Sequence, residues 1–254
     1  MQKTMWLSAC CAALGLSASD AQAQAQMLKW EDTAYVMVNA GLQAQSRSFT
    51  EISTPLIYGE NALVTVPHEV SSGLLFDVAG GVRLWRNLAV GVGFSRFADK
   101  ETPTLAGEIP SPLVFGSPRA AVTSTGELKH SETAVHVHAL WMVPVSNKIE
   151  LAAMAGPSFY RIEQDVLSGI TVAESPVPPF AAVTINSVTT TSESERAVGF
   201  TVGADMTYLI TRRFGAGALV RYSAASVDLT TSGGGTITVD AGGFQIGAGL
   251  RVRF

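Results

Sequence analysis

The chain is poor in charge. Of its 254 residues only 15% are Asp, Glu, Lys or Arg, against 47% hydrophobic residues and 24 glycines, whereas a soluble domain ordinarily carries about a quarter of its residues as charges. Such scarcity fits a protein solvated partly by lipid, which needs no charge over that area. A net charge of −4 with no basic stripe leaves nothing to neutralise phosphates, which excludes nucleic acid as a partner. Cysteine is confined to Cys10 and Cys11, both in the apolar start of the chain. The remainder therefore has no thiol for a disulfide or a metal. No apolar run reaches the roughly 20 residues of a membrane-spanning helix, and past the first 25 residues no long segment has a 3.6-residue period.

The start itself has the pattern of an export signal. Lys3 supplies the positive end, 4–18 the apolar run, and Ala21-Gln22-Ala23 or Ala23-Gln24-Ala25 the small-x-small cleavage site. Residues 1–25 are thus expected to be a signal peptide and 26–34 a short lead, with 35–254 forming the fold. Leu7-Ser8-Ala9-Cys10 is similar to a lipoprotein box, but few apolar residues precede Cys10, which disfavours acylation there.

Downstream, the sequence alternates with a period of two, the signature of strands with unlike faces. In 35–45, Val36, Val38, Ala40, Leu42 and Ala44 line one face and Asn39, Gly41, Gln43 and Gln45 the other. The pattern recurs in 73–85, 88–97, 132–143, 149–161, 195–208, 214–223 and 243–254. A soluble sandwich would put strongly polar residues on its outward face. Here the second face is mostly Gly, Ala, Ser and Thr, which suit the crowded interior of a narrow barrel. By parity Asp77, Arg83, His136, His138, Glu150, Asp205, Arg221, Arg251 and Arg253 face that interior. Both signs are present, so a paired network is expected, with Arg221 reaching Asp205 on the adjacent strand.

The connections alternate between short (85–88, 144–148, 209–213) and long (48–72, 98–131, 162–194, 224–242). Three tight turns on the side of both chain ends and four long loops opposite match periplasmic turns and extracellular loops. Aromatic residues of the apolar faces gather in two groups. Trp141, Tyr208, Phe214 and Phe254 lie toward the short turns; Phe76, Phe94, Phe159, Tyr222 and Phe244 lie toward the long loops. The groups are about eight to ten residues apart, roughly 20 to 25 Å at ~40° tilt, which is the thickness of an apolar band. The expected fold is all-β: an eight-stranded antiparallel up-and-down transmembrane β-barrel. The long loops, rich in Pro, Ser and Thr, are expected to be exposed, with 63–66 and 181–185 extending strands beyond the membrane.

On these features the sequence resembles the small outer-membrane β-barrel family, of the OmpA and OmpX type and the opacity-like surface proteins. The most specific element is the alternating end from Phe244 to Phe254. The resemblance implies that Phe244, Ile246, Leu250, Val252 and Phe254 form the signal read by the barrel-assembly machinery. The opening strand from Tyr35 to Gly41 is also similar to that family's first strand. Such a family is functionally diverse, so architecture is implied more firmly than task.

Candidate chemistry is thin. His136 and His138, two apart on a strand, point the same way as two metal ligands would, but no third ligand is identifiable by spacing; the favoured reading is a pair of lumen histidines bonded to Glu or Asp. Lys129-His130-Ser131-Glu132 holds Ser, His and a carboxylate, yet adjacent residues on an extended chain point to opposite sides and make no triad; a flexible loop entering a strand is expected. The Gly-x-Gly pairs at Gly91/Gly93, Gly215/Gly217 and Gly247/Gly249 lie inside strands and make room in the barrel rather than cradle phosphate. Arg86, Lys148, Arg212 and Arg213 mark the short turns, where solvated turn charge is the favoured reading over contact with periplasmic headgroups or peptidoglycan. The expected role is structural or surface-interacting, not enzymatic, with a lumen filled by side chains. The rivals are a narrow porin-like channel and an outer-membrane lipid-modifying enzyme. No cofactor is expected; the expected partners are outer-membrane lipids, the assembly machinery during biogenesis and an extracellular ligand at the long loops.

Overall fold

The computed structural model describes residues 31–231 and 235–254. The expected signal peptide, residues 26–30 of the lead, and Gly233 and Gly234 lie outside the described residues. Fourteen strands follow in order: β1 (Ala34–Gln43), β2 (Arg47–Ser53), β3 (Leu56–Ile57), β4 (Glu60–Asn61), β5 (Leu63–Val70), β6 (Gly73–Trp85), β7 (Leu88–Glu101), β8 (Thr104–Ile109), β9 (Arg119–Ser124), β10 (Leu128–Pro144), β11 (Ile149–Glu174), β12 (Val183–Leu209), β13 (Phe214–Thr230) and β14 (Thr236–Arg253). Eight of them, β1, β6, β7, β10, β11, β12, β13 and β14, form the antiparallel barrel in that order, and β14 pairs with β1 to close it. These are the eight segments read from alternation.

The alternation works as expected. Even-numbered residues of β1 and β14 turn outward, and the apolar ones among them, such as Val36, Leu42, Phe244 and Leu250, are exposed; their solvent is lipid. Both aromatic groups lie on this outer face, with Trp141, Tyr208, Phe214 and Phe254 toward the tight turns and Phe76, Phe94, Phe159, Tyr222 and Phe244 toward the long loops. Trp85 joins the first group, with the Arg86 guanidinium 4.9 Å above its ring. The tight turns are built by local chemistry. Arg86 takes a positive φ of 47° in the two-residue turn between β6 and β7. In the other two, Ser146 Oγ accepts from the amides of Lys148 and Ile149, and Thr211 Oγ1 from those of Arg213 and Phe214.

Above the membrane the long connections are built largely of strands. β11 and β12 run for 26 and 27 residues, far beyond the roughly 9–11 needed to cross a bilayer. β13 pairs with β12 only from Phe200 to Leu209, so the upper β11–β12 hairpin leaves the barrel wall. Segments 48–72 and 98–131 supply β2, β5, β8 and β9, which form a separate four-stranded sheet. Val64, Val66, Leu105, Ile109 and Ala121 of this sheet pack on Leu167, Val183 and Ile185 of the hairpin. The result is an extracellular cap with its own apolar core, and burying each such side chain is worth about 1.5–3 kcal/mol. Two expectations are corrected. Residues 63–66 belong to the separate sheet and extend no barrel strand, because their apolar face finds the hairpin instead. Residues 129–132 are no flexible loop but part of β10, paired with β7 and β11.

Candidate functional site

Strand parity brings the inward polar side chains together along the lumen. At the periplasmic end Arg253 pairs with Glu150 at 2.6 Å, while Arg83 is half-buried on the same inner face. Arg251 pairs with Asp205, whose carboxylate also accepts from Thr207 Oγ1 at 3.0 Å. Arg251 donates to Asn39 Oδ1 at 2.7 Å, and Asn39 donates in turn to Asp77 at 2.9 Å. Arg221, only 2% exposed, donates to Asp77 at 2.8 Å and to Gln245 at 2.7 Å. Gln245 donates to Gln43 at 3.0 Å and Gln43 to Glu132 at 3.3 Å. The ladder thus rises from the periplasmic rim to the base of the cap, and Met37, Leu140, Met142, Met154 and Leu219 are buried alongside it.

Arg221 does not pair with Asp205 as its strand position suggested. In register it lies beside Gly203, and its guanidinium crosses the lumen to Asp77, leaving Asp205 to Arg251. His136 and His138 are both buried but do not bond to carboxylates. His136 sits between Ser95 at 2.8 Å and Ser158 at 2.7 Å, and His138 lies 3.5 Å from Tyr35 Oη. Each takes a neutral neighbour because the lumen carboxylates are held by arginines. Among the described residues no group of three or more His, Cys, Asp or Glu is placed to hold a metal ion.

A second polar cluster joins barrel to cap, above the outer aromatic belt. Glu132 accepts from Arg47, from His130 at 3.0 Å and from the Gly242 amide at 2.8 Å. Burial works to raise its pKa, but His130, Arg47 and that amide hold it below the ordinary carboxylate value. His68, stacked on Phe49, lies between Glu101 at 2.6 Å and Glu51 at 3.1 Å. Burial opposes its protonation, yet the two glutamates outweigh it and raise its pKa above the usual value. Glu51 also takes the Leu167 amide of the hairpin at 2.9 Å, so one carboxylate spans sheet and hairpin.

The distal tip is tied by one residue. Arg119 binds Glu174 through both terminal nitrogens, and donates to the carbonyls of Phe180 and Pro110, each at 2.6 Å. Tyr58 donates to the same Glu174 at 3.0 Å, and the Gly116 amide to Glu60 at 2.9 Å. Three loops are thereby joined, presenting Leu113, Val114, Phe115 and Val177 to solvent, Phe115 at 84% exposure. Of these contributors, Asn39, Gln43 and Gln245 could have been found by the strand parity that marked the charged residues. The Arg47, His68 and Arg119 contacts depend on how long loops fold back, for which periodicity gives no signal.

An eight-stranded closed ring with an apolar, aromatic-belted exterior and a charge-paired interior defines the class of transmembrane β-barrels. The model of the outer membrane protein beta-barrel domain family matches residues 8–251, and the chain belongs to that family; it is an outer-membrane protein. No curated protein matches it. Among solved structures it is similar to Neisserial surface protein A (NspA), with 14% identity and a TM-score of 0.43 over 87% of this chain and 97% of that one. It is similar also to OprG from Pseudomonas aeruginosa, with 9% identity and a TM-score of 0.47 over 88% and 97%. A third is the outer membrane protease OmpT from Escherichia coli, with 9% identity and a TM-score of 0.47 over 89% and 98%.

Proposed function

We propose that this chain is a non-conducting outer-membrane anchor that presents a rigid extracellular cap for surface interaction. The observation that carries the reading is the unbroken side-chain ladder from Glu150–Arg253 to Glu132. An interior of eight strands is only wide enough for side chains, and here they are present and paired. Ile162, Val166, Leu229 and Val239 bury an apolar cluster above them. The histidine contacts that hint at catalysis, Ser95–His136–Ser158 and His130–Glu132, are buried where no substrate reaches, which supports binding over an enzymatic role. The interaction then falls to the loops held by Arg119. Reconstituted in a planar bilayer, the protein should show no conductance above baseline; stable channel steps would overturn the reading in favour of a narrow pore.

A further inference from the structure

The upper half of β12 carries a feature that neither anchoring nor the Arg119 tip requires. β12 pairs with β11 from Val183 to Tyr208, but β13 joins its other side only from Phe200 to Leu209, and the cap sheet is made of β2, β5, β8 and β9 without it. Among the described residues that side of β12 is therefore unpaired above Phe200. Phe200 lies beside Tyr222, with ring centroids 6.2 Å apart, at the outer aromatic belt, so the free edge stands outside the membrane. The cap packs on Val183 and Ile185 at the start of the strand. A bulge follows at Asn186, which is the extra residue between the Val172–Ile185 and Thr171–Ser187 pairs. What remains is 187–196, roughly 33 Å of edge.

No residue of this segment is buried, and Thr189, Thr190 and Thr191 are exposed in succession, so both faces of the ribbon meet water there. Its side-chain hydrogen bonds run back to β11: Ser187 bonds with Thr171, Ser192 donates to Asp165, and Ser194 accepts from Arg161. An unpaired edge is a template for another strand, and proteins ordinarily blunt it with charge, proline or a bulge. From Ser187 to Ser192 the sequence Ser-Val-Thr-Thr-Thr-Ser has none of these and is rich in β-branched residues. β12 descends from the cap to a periplasmic turn. A second copy in the same membrane, related by an axis along the membrane normal, would bring its β12 alongside in parallel. A copy in a facing membrane is inverted and brings it antiparallel, the arrangement in which one segment is its own partner across a two-fold axis. Centred on Thr190, Thr189 meets Thr191, Val188 meets Ser192 and Glu193 meets Ser187, so threonines pair and no like charges oppose.

We propose that 187–196 of β12 is a homotypic adhesion edge, which pairs with the same segment of a second copy of this chain in a facing outer membrane. The test is clustering of lipid vesicles that carry the folded protein with its cap outward, followed by light scattering. Wild-type vesicles should cluster with one another and not with protein-free vesicles. T189K/T191K, which sets lysine against lysine, should slow clustering about tenfold, and so should T189E/T191E. A mixture of the two variants should cluster again, since lysine then meets glutamate; mixing would not repair a folding defect. Altered mobility of the unboiled band on a gel verifies folding, and Thr190→Lys, at the centre of the pairing, stands in for a lysine variant that does not fold. Arg119→Ala, which loosens the tip, should leave clustering unchanged; its loss there would move the contact to the tip and overturn the proposal. Channel steps in a planar bilayer bear on the plugged lumen alone, so failure of the anchor reading and failure of this one are told apart. Absence of wild-type clustering, equal clustering with protein-free vesicles, undiminished clustering of the folded lysine variant, or no recovery in the mixture would each overturn it.

Discussion

Arg221 and Arg251 show how a narrow lumen tolerates full-length guanidinium groups. At Gly217 a Cβ would lie 2.7 Å from Arg251 Nε, and at Gly91 one would lie 2.2 Å from Tyr35 Oη. These glycines provide side-chain room inside strands, at an entropic cost that the buried ion pairs offset. Truncating one partner of such a pair leaves the other charge buried and uncompensated. Arg221→Ala, which leaves Asp77 with only Asn39, should destabilise the barrel by about 3 kcal/mol. Lys148→Ala, at a solvated turn, should cost less than about 1 kcal/mol. Urea unfolding in lipid vesicles measures both, and equal small losses would mean that Asp77 is hydrated. The D77A/R221A double variant should lose less than the sum of its parts, since the pair is removed together.

The cap is the element whose stability responds to pH. His68 is held between Glu51 and Glu101, and its pKa is raised from the ordinary 6.5. A folded-state pKa above the unfolded one contributes stability that is full below the unfolded value and is lost as pH rises through the folded value. Between pH 6 and 9 the cap should become progressively easier to cleave by a protease added to vesicles, as His68 loses its proton. His68→Gln should flatten that dependence; a wild-type cap equally resistant across the range would show that the clamp holds the sheet without a charged ring. The same element marks where sequence reading stops. Barrel strands such as β6 were legible to the residue because lipid outside and small side chains inside impose a strict period of two. β2, β5, β8 and β9 were hidden, since their partners are set by long-range loop packing rather than by a solvent boundary. Parity found which charges face the lumen but not which meet, because Arg221 spans the interior to β6 while register describes only adjacent strands.

At the scale of the whole molecule, the barrel closes where β14 pairs with β1 from Tyr35–Arg253 to Gln43–Gln245, and Phe254 extends that seam. Phe254 accepts from the Thr33 amide at 2.6 Å and donates to the Ala34 carbonyl at 2.9 Å, stitching the seam between β14 and β1. Deleting Phe254 should lower the amount of folded protein in the outer membrane and raise periplasmic aggregate, measured by fractionation and gel mobility. Unchanged yield would remove Phe254 from the assembly signal proposed with Phe244, Ile246, Leu250 and Val252. Arg119 plays the corresponding role at the far end, joining the Pro110 and Phe180 loops to Glu174. For an immune system this knot makes the tip a discontinuous epitope. Antibodies raised against the folded protein should bind cells but not synthetic peptides of 110–118 or 175–182, and Arg119→Ala should abolish their binding while leaving the barrel in the membrane.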